Sequence, residues 1–192
     1  GAEGMSKAQI TNRLQEVKDR LKRTDVMGRG DADFLRQVGR KHPGYYEANR
    51  LLGDWYFRLK DYNRQSQVLE EATRRGKFKH DPNILLSLAK AYARQKKYGR
   101  ALKVMGRVER KMRRLPANLK SDAYRFHAEM LEFEFLRQQQ DDGKRANISL
   151  IDKAITRWER YQTFNRGANS RGVKEAQQKI KKLTALKRDL EL

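Results

Sequence analysis

The chain contains no cysteine, and this absence excludes disulfide bonds, thiol catalysis and cysteine-ligated metal sites. Its few prolines, Pro43, Pro82 and Pro116, each lie where a helical hairpin is expected to end. A proline inside a helix removes a backbone hydrogen bond, so this scarcity favours long helices between those points. No apolar run approaches the ~20 residues that a membrane-spanning helix needs.

Motifs of catalysis are also missing. The sequence has no glycine-rich phosphate loop, nucleophile elbow or His-x-Glu motif. No second ligand follows His42 or His80 three or four residues later, so we expect neither a metal site nor a cofactor. Asp141 and Asp142 are interpreted as part of a loop rather than as a catalytic pair. We therefore predict that the protein is not an enzyme.

Positive charge, by contrast, is in large excess. Lys and Arg number 45 and Asp and Glu 24, which gives a net charge of +21. Such a field attracts polyanions: nucleic acid, anionic lipid or an acidic protein. A solvated basic surface without such a partner is the alternative. Apolar residues make up 38% and charged residues 36%, a balance typical of amphipathic helices that each bury one stripe.

One pattern occurs twice in the centre of the chain. The pattern Leu-Gly-x-x-Tyr begins at Leu52 and recurs as Leu-Ala-x-x-Tyr from Leu88; a turn, a second apolar helix and a proline follow each copy. This indicates a helix-turn-helix repeat. Gly53, Ala89 and Ala128 share one position of successive units. Since glycine inside a helix costs ~1 kcal/mol relative to alanine, this repeated small residue predicts that a neighbouring helix comes close.

These patterns predict an all-α, antiparallel helix-hairpin solenoid of about 8–9 helices. An apolar stripe at residues 6–23 predicts a first packing helix, and Asp31 is expected to cap a short helix that continues to Lys41. After Pro116 an insertion separates two helices, and we expect both to be longer, by up to about two turns, around a polar loop at 141–147. The predicted divisions are 1–30 (tag remnant or linker and packing helix), 31–165 (the repeat array: half unit 31–43, unit 44–81, unit 82–116 and extended unit 117–165) and 171–192 (C-terminal capping helix).

The central residues resemble the tetratricopeptide repeat family, whose unit of about 34 residues carries W-x2-L-G-x2-Y, then A-x3-F, then P. In the first unit Leu52, Gly53 and Tyr56 match, while Asn49 stands at the tryptophan position. In the third unit His127 stands where leucine is expected. The resemblance implies a right-handed superhelix; a generic antiparallel helical array is the alternative. The second unit matches the pattern at Leu85, Leu88, Ala89, Tyr92, Ala101, Met105, Val108 and Pro116.

Residues 146–192 carry a fainter similarity. The pair Trp158 and Tyr161, before a final helix ending in Lys-Leu-x-x-Leu-Lys-x-x-Leu, looks like the closing part of bacterial envelope repeat lipoproteins that assist outer-membrane assembly. The first residues, Gly-Ala-Glu-Gly, are interpreted as a cloning remnant. The compartment stays open between the cytoplasm and the periplasmic side of a bacterial envelope.

The tetratricopeptide resemblance implies a concave groove, lined by the first helix of each hairpin, that binds peptides or protein segments. We expect a scaffold that binds an acidic or extended segment there, in a bacterial multiprotein assembly. One branch of the family clamps a partner's C-terminal carboxylate with asparagines, but Asp54 and Ser87 stand at those positions here. A solvated inner face is the alternative. The residues expected in the groove are Arg50, Asp54, Phe57, Arg58, Lys90, Arg94, Arg125 and Glu129.

A second surface is basic, with cations spaced by three and four residues along one predicted helix. The nearby Glu109 is expected to point elsewhere. This stripe supports the alternative function, binding of nucleic acid or of an anionic membrane surface, against the simpler reading of a solvated outer face. Stacking of chains into a homo-oligomer is a third possibility. The members of the stripe are Arg100, Lys103, Arg107, Arg110, Lys111 and Arg114.

Overall fold

A computed structural model describes residues 2, 4–42, 45–74, 78–141 and 145–192. Within these ranges the regular secondary structure is helical, which confirms the predicted all-α, antiparallel hairpin fold. None of the helices described here is long and apolar enough to cross a membrane. The helices are α1 (Lys7–Thr24), α2 (Arg29–Lys41), α3 (Tyr46–Arg58), α4 (Tyr62–Arg74), α5 (Pro82–Arg94), α6 (Tyr98–Arg110), α7 (Ala117–Gln140), α8 (Ser149–Asn165) and α9 (Ser170–Glu191).

The chain divides into two compact units, Gly1–Lys96 with α1 to α5 and Lys97–Leu192 with α6 to α9. The two helices predicted for the unit at 82–116 therefore belong to different compact units. The repeat boundaries predicted from the sequence remain a prediction. Two of the predicted features, the Pro43-Gly44 helix stop and the centre of the 141–147 loop, lie outside the described residues.

The first unit has a core to which α1 contributes the apolar stripe predicted for it: Ile10, Leu14, Val17 and Leu21 are all buried. This helix begins at a capping box, in which the Ser6 hydroxyl accepts a hydrogen bond from the backbone N–H of Gln9. The Gln9 side chain in turn accepts from the backbone N–H of Ser6 at 2.8 Å. Two backbone donors that the helix leaves unpaired are thereby satisfied.

The expected cap at Asp31 is wrong in position. Helix α2 starts three residues earlier than this cap implies, after Gly28, and Asp31 occupies the third helical position. Its carboxylate reaches back to accept a hydrogen bond from the Gly28 backbone N–H at 3.2 Å, and it also pairs with Arg20 of α1. A carboxylate in the first turn of a helix can accept hydrogen bonds from the same backbone N–H groups as a capping residue. An aspartate near the start of a helix therefore does not by itself mark the cap position.

The predicted close approach at the small-residue position is confirmed. A Cβ atom added at Gly53 would lie 3.2 Å from Cδ2 of Leu69, on the returning helix α4. Ala89 and Ala128, at the corresponding positions, are fully buried. At Gly53 the small residue therefore lets α3 and α4 pack closely.

In the second unit the extension predicted after Pro116 falls mostly on one helix. Helix α7 has 24 residues and α8 has 17, against 13 for α6. Both are longer than α6, as predicted, but α7 exceeds it by about three turns rather than by two at most. The reason is that buried side chains continue along α7 through Leu131 and Phe135, so its packing against α8 and α9 extends with it. Trp158 of α8 is fully buried in this core, and its ring N–H donates to Glu132 at 3.0 Å.

Candidate partner-binding surfaces

Helix α3 presents a charged face opposite its buried side. The Arg50 guanidinium donates to both carboxylate oxygens of Glu47, at 3.0 and 2.6 Å, and lies 3.4 Å from the carboxylate of Asp54. Lys18 of α1 is 3.4 Å from the same Glu47. The hydrogen bond from Arg50 holds the pKa of the Glu47 carboxyl below its usual range. Arg50 is thus already oriented by acids of its own helix.

Arg58, at the end of α3, pairs with Asp25, which follows α1 in a left-handed conformation (φ 56°). Both side chains are largely exposed. Exposed ion pairs contribute only ~0–1 kcal/mol, because water and salt screen them. Such pairs can exchange their internal carboxylate for one from a partner at little cost.

An exposed aromatic ring completes this face. Phe57 is 44% exposed, and the Arg94 guanidinium of α5 lies 4.6 Å from its ring centroid. The ring of Tyr62, the first residue of α4, is 6.3 Å from Phe57 and 5.6 Å from the Arg94 guanidinium. Cation–π contacts of this kind orient the guanidinium. Phe57 and Arg94 were both predicted for the groove; the structure brings them into contact and adds Tyr62, which was not among the predicted residues.

The remaining predicted groove residues divide between the two compact units. Lys90 lies on α5 in the first unit, partly exposed and engaged in an interaction of its own. In the second unit Arg125 donates to Glu129 at 3.0 Å and to Glu175 of α9 at 2.9 Å. We use the name α3–α5 face for the set in the first unit, which comprises Arg50, Asp54, Phe57, Arg58, Lys90 and Arg94.

The predicted basic stripe follows one helix only in part. Helix α6 ends at Arg110; Lys111 caps it, and Arg114 lies in a short 3-10 turn. The expectation that all six cations share a helix is therefore wrong for these two. The chain turns here and buries Leu115, which is 3% exposed, before α7 begins.

The cations within α6 point away from its buried residues, as their spacing predicts. Lys103 and Arg110 are exposed and form no ion pair with any described residue. Arg100 and Arg107 each make an interaction, so they are less available to a partner. The name α6 stripe is kept for the six predicted cations.

Glu109 does point elsewhere, as predicted, and it joins three helices. Its carboxylate accepts two hydrogen bonds from Arg157 of α8, both at 2.9 Å, and lies 3.1 Å from Nδ1 of His127 on α7 and 3.6 Å from Arg160. Burial alone would raise the pKa of Glu109, but the hydrogen bonds from His127 and Arg157 and their charges outweigh it and lower the pKa to about 2. His127 at a leucine position was the only sequence signal of this cluster.

In the parts of the chain described, no three His, Cys, Asp or Glu side chains are grouped as a metal site requires.

Comparison with known proteins supports the fold. No protein-family model matches the chain, and no curated protein matches it. Among solved structures, it is similar to a putative kinesin light chain of Podosopora anserina with nearly identical TPR-like repeats: TM-score 0.60, 10% identity, covering 96% of this chain and 95% of that one. It is also similar to the MamA RS-1 ArsTM double mutant: TM-score 0.54, 18% identity, covering 92% and 94%. The chain therefore has the fold of tetratricopeptide-like helical-repeat proteins, as its motifs predicted.

Proposed function

We propose that the chain is a non-enzymatic protein-interaction scaffold, and that the α3–α5 face binds an acidic or extended segment of a partner protein. The observation that carries this proposal is the exposed Phe57 ring under the Arg94 guanidinium, with Arg50 and Arg58 on the same helix. Aromatic and arginine side chains dominate the binding energy of protein interfaces. A partner's apolar side chain can pack on the ring while its carboxylates replace the weak internal pairs of the two α3 arginines.

A calorimetric titration with an extended peptide of alternating Glu and Leu tests this proposal. Alanine at Phe57 or at Arg94 is expected to weaken binding by about tenfold, the loss typical of an interface anchor. Alanine at Arg23 is the matched control, because that exposed arginine lies in the last turn of α1 and forms no ion pair with a described residue. Equal affinity of the Phe57 and Arg94 variants and the wild type would remove the α3–α5 face from the account.

The second candidate function is polyanion binding through the α6 stripe. It is favoured by the exposed Lys103 and Arg110, which lack an internal counter-charge among the described residues. Binding of oligo(dT) or of anionic vesicles should weaken steeply with salt. Alanine at Lys103, Arg110 and Arg114 together should reduce the slope of log affinity against log salt by about two to three. An unchanged slope would rule out the stripe.

Two further parts of the proposal concern a bacterial multiprotein assembly and self-association of the chain. The similarity of residues 146–192 to bacterial envelope lipoproteins supports a place in a bacterial multiprotein assembly, and a natural gene found outside bacteria would overturn that part. Self-association through helices left exposed at a chain end is open to a direct test. Light scattering over a concentration series would show a rising mass if it occurs, and a constant monomer mass would exclude it.

A further inference from the structure

An open groove of about 800 Å³ lies in the first unit, between α2 and α4. Its floor comes from α3, through Asn49, Leu52 and Tyr56. At 100° per residue these positions lie about 120° around α3 from Arg50 and Phe57. The groove is therefore separate from the α3–α5 face, and its size is within the range of ligand-binding clefts.

Two residues that are small for their places meet at the floor of the groove. Asn49 stands where the repeat motif carries tryptophan, so the floor lacks a large ring. On α2 Gly39 faces it, and a Cβ atom there would lie only 2.3 Å from Oδ1 of Asn49. The backbone of α2 consequently approaches the Asn49 amide directly.

The Asn49 amide reaches the groove and forms no hydrogen bond within the described residues. The residue as a whole is 7% exposed, so the accessible part of its side chain is small. An asparagine amide offers both donors and an acceptor, which match the C=O and N–H groups of a peptide backbone.

The rim of the groove is mainly cationic, with four arginines against two glutamates. Arg36 is held in place by the Tyr56 hydroxyl at 2.6 Å and by Asp33 at 2.8 Å. Arg40 is exposed and forms no ion pair with a described residue. Arg64 is 3.5 Å from Asp61 and still 64% exposed, so it is also accessible to a ligand.

We propose that this groove binds an extended acidic segment of a partner protein. The segment's backbone bonds to the Asn49 amide, and its carboxylates pair with Arg40 and Arg64. From Arg64 to Arg74 the wall of α4 spans about 15 Å, enough for four or five extended residues. Glu70 and Glu71 also line the groove, and both are paired with Arg74, at 4.0 and 3.6 Å. The lining also lacks an exposed aromatic ring on which bases could stack, since its only aromatic among the described residues is buried.

Because the chain has no cysteine, a single introduced thiol can report on the groove alone. Gln67 is exposed and lines the groove, so an environment-sensitive dye on Gln67→Cys should respond when the groove fills. A second reporter, Gln177→Cys on the exposed side of α9, controls for non-specific binding. The probes are a Glu-Ala repeat peptide of about ten residues, long enough to exceed the groove, and oligo(dT).

We expect a saturable response of the Gln67 dye to the peptide. Arg40→Gln with Arg64→Gln should weaken it by about tenfold or more, whereas Phe57→Ala, on a different face of α3, should leave it unchanged. Asn49→Trp should also abolish it by filling the floor with the motif residue; because Gly39 lies against this position, the folding of the variant is checked first by circular dichroism. No saturable response, an equal response at Gln177, an equal loss in the Phe57 variant, or tighter binding of oligo(dT) would each overturn the proposal. If Asn49→Trp does not fold, the arginine pair still decides the outcome.

Discussion

Replacing Glu109 by glutamine should destabilise the second compact unit by about 3 kcal/mol at neutral pH. The carboxylate accepts two hydrogen bonds from Arg157 and is close to His127, and its side chain is 22% exposed. Its pKa falls from 4.5 to about 2, and each pKa unit corresponds to about 1.4 kcal/mol of stability. Glutamine keeps the shape but leaves the largely buried Arg157 without its counter-charge, a change that typically costs ~3–5 kcal/mol.

The pH dependence of the free energy of unfolding provides a second test of the interaction between Glu109 and its partners. Because the folded pKa is lowered, the contribution of Glu109 is fully present above about pH 4.5, where the carboxyl is ionised in both states. It is lost as pH falls toward 2. The wild type should therefore lose about 3 kcal/mol more than Glu109→Gln between those limits.

Urea unfolding followed by Trp158 fluorescence measures this directly. Trp158 is buried in the same unit, and Trp55→Phe removes the signal of the other tryptophan. Glu159→Gln is the matched control, since Glu159 is an exposed carboxylate on α8 without an ion pair to a described residue. The reasoning would be refuted if the free energy of unfolding of Glu109→Gln lay within about 0.5 kcal/mol of the wild-type value, or if it depended on pH in the same way.

Two further substitutions test local packing by the same urea titrations. Gln65→Met should stabilise the first unit by about 1 kcal/mol, because Oε1 of Gln65 is buried without a hydrogen-bond partner and methionine has a similar shape; a loss of stability would show that the oxygen is satisfied. Gly172→Ala should destabilise the second unit by ~1–3 kcal/mol, since the new Cβ would lie 2.6 Å from Nδ2 of Asn169 and 2.8 Å from the Tyr161 hydroxyl. An unchanged midpoint would mean that the cap at α9 can move aside.

The helices were predictable because their signals are local. Apolar spacing along α1 depends on residues within one or two turns, and the small residue at Gly53 recurs at one position of successive units; both predictions hold in the structure. The unequal extension of α7 and α8 was not predictable, because the insertion can be placed in either helix until the packing partners of Phe135 are known.

The contacts at the candidate surfaces depend on pairs far apart in sequence. Sequence reasoning placed Phe57 and Arg94 on helix faces, but only the fold of α3 against α4 and α5 brings the ring and the guanidinium together. His127 stood out in the sequence only as a departure from the leucine expected at that position. Its partner could not be chosen, because many carboxylates were available and only the packing of α6 on α7 selects Glu109.

Hydrogen–deuterium exchange with the bound Glu-Leu peptide tests the central claim most directly. If the α3–α5 face binds the segment, backbone amides of Tyr46–Arg58 and Pro82–Arg94 should gain protection, and Phe57→Ala should remove that gain. Protection confined to Tyr98–Arg110 would instead place the partner on the α6 stripe and contradict the account.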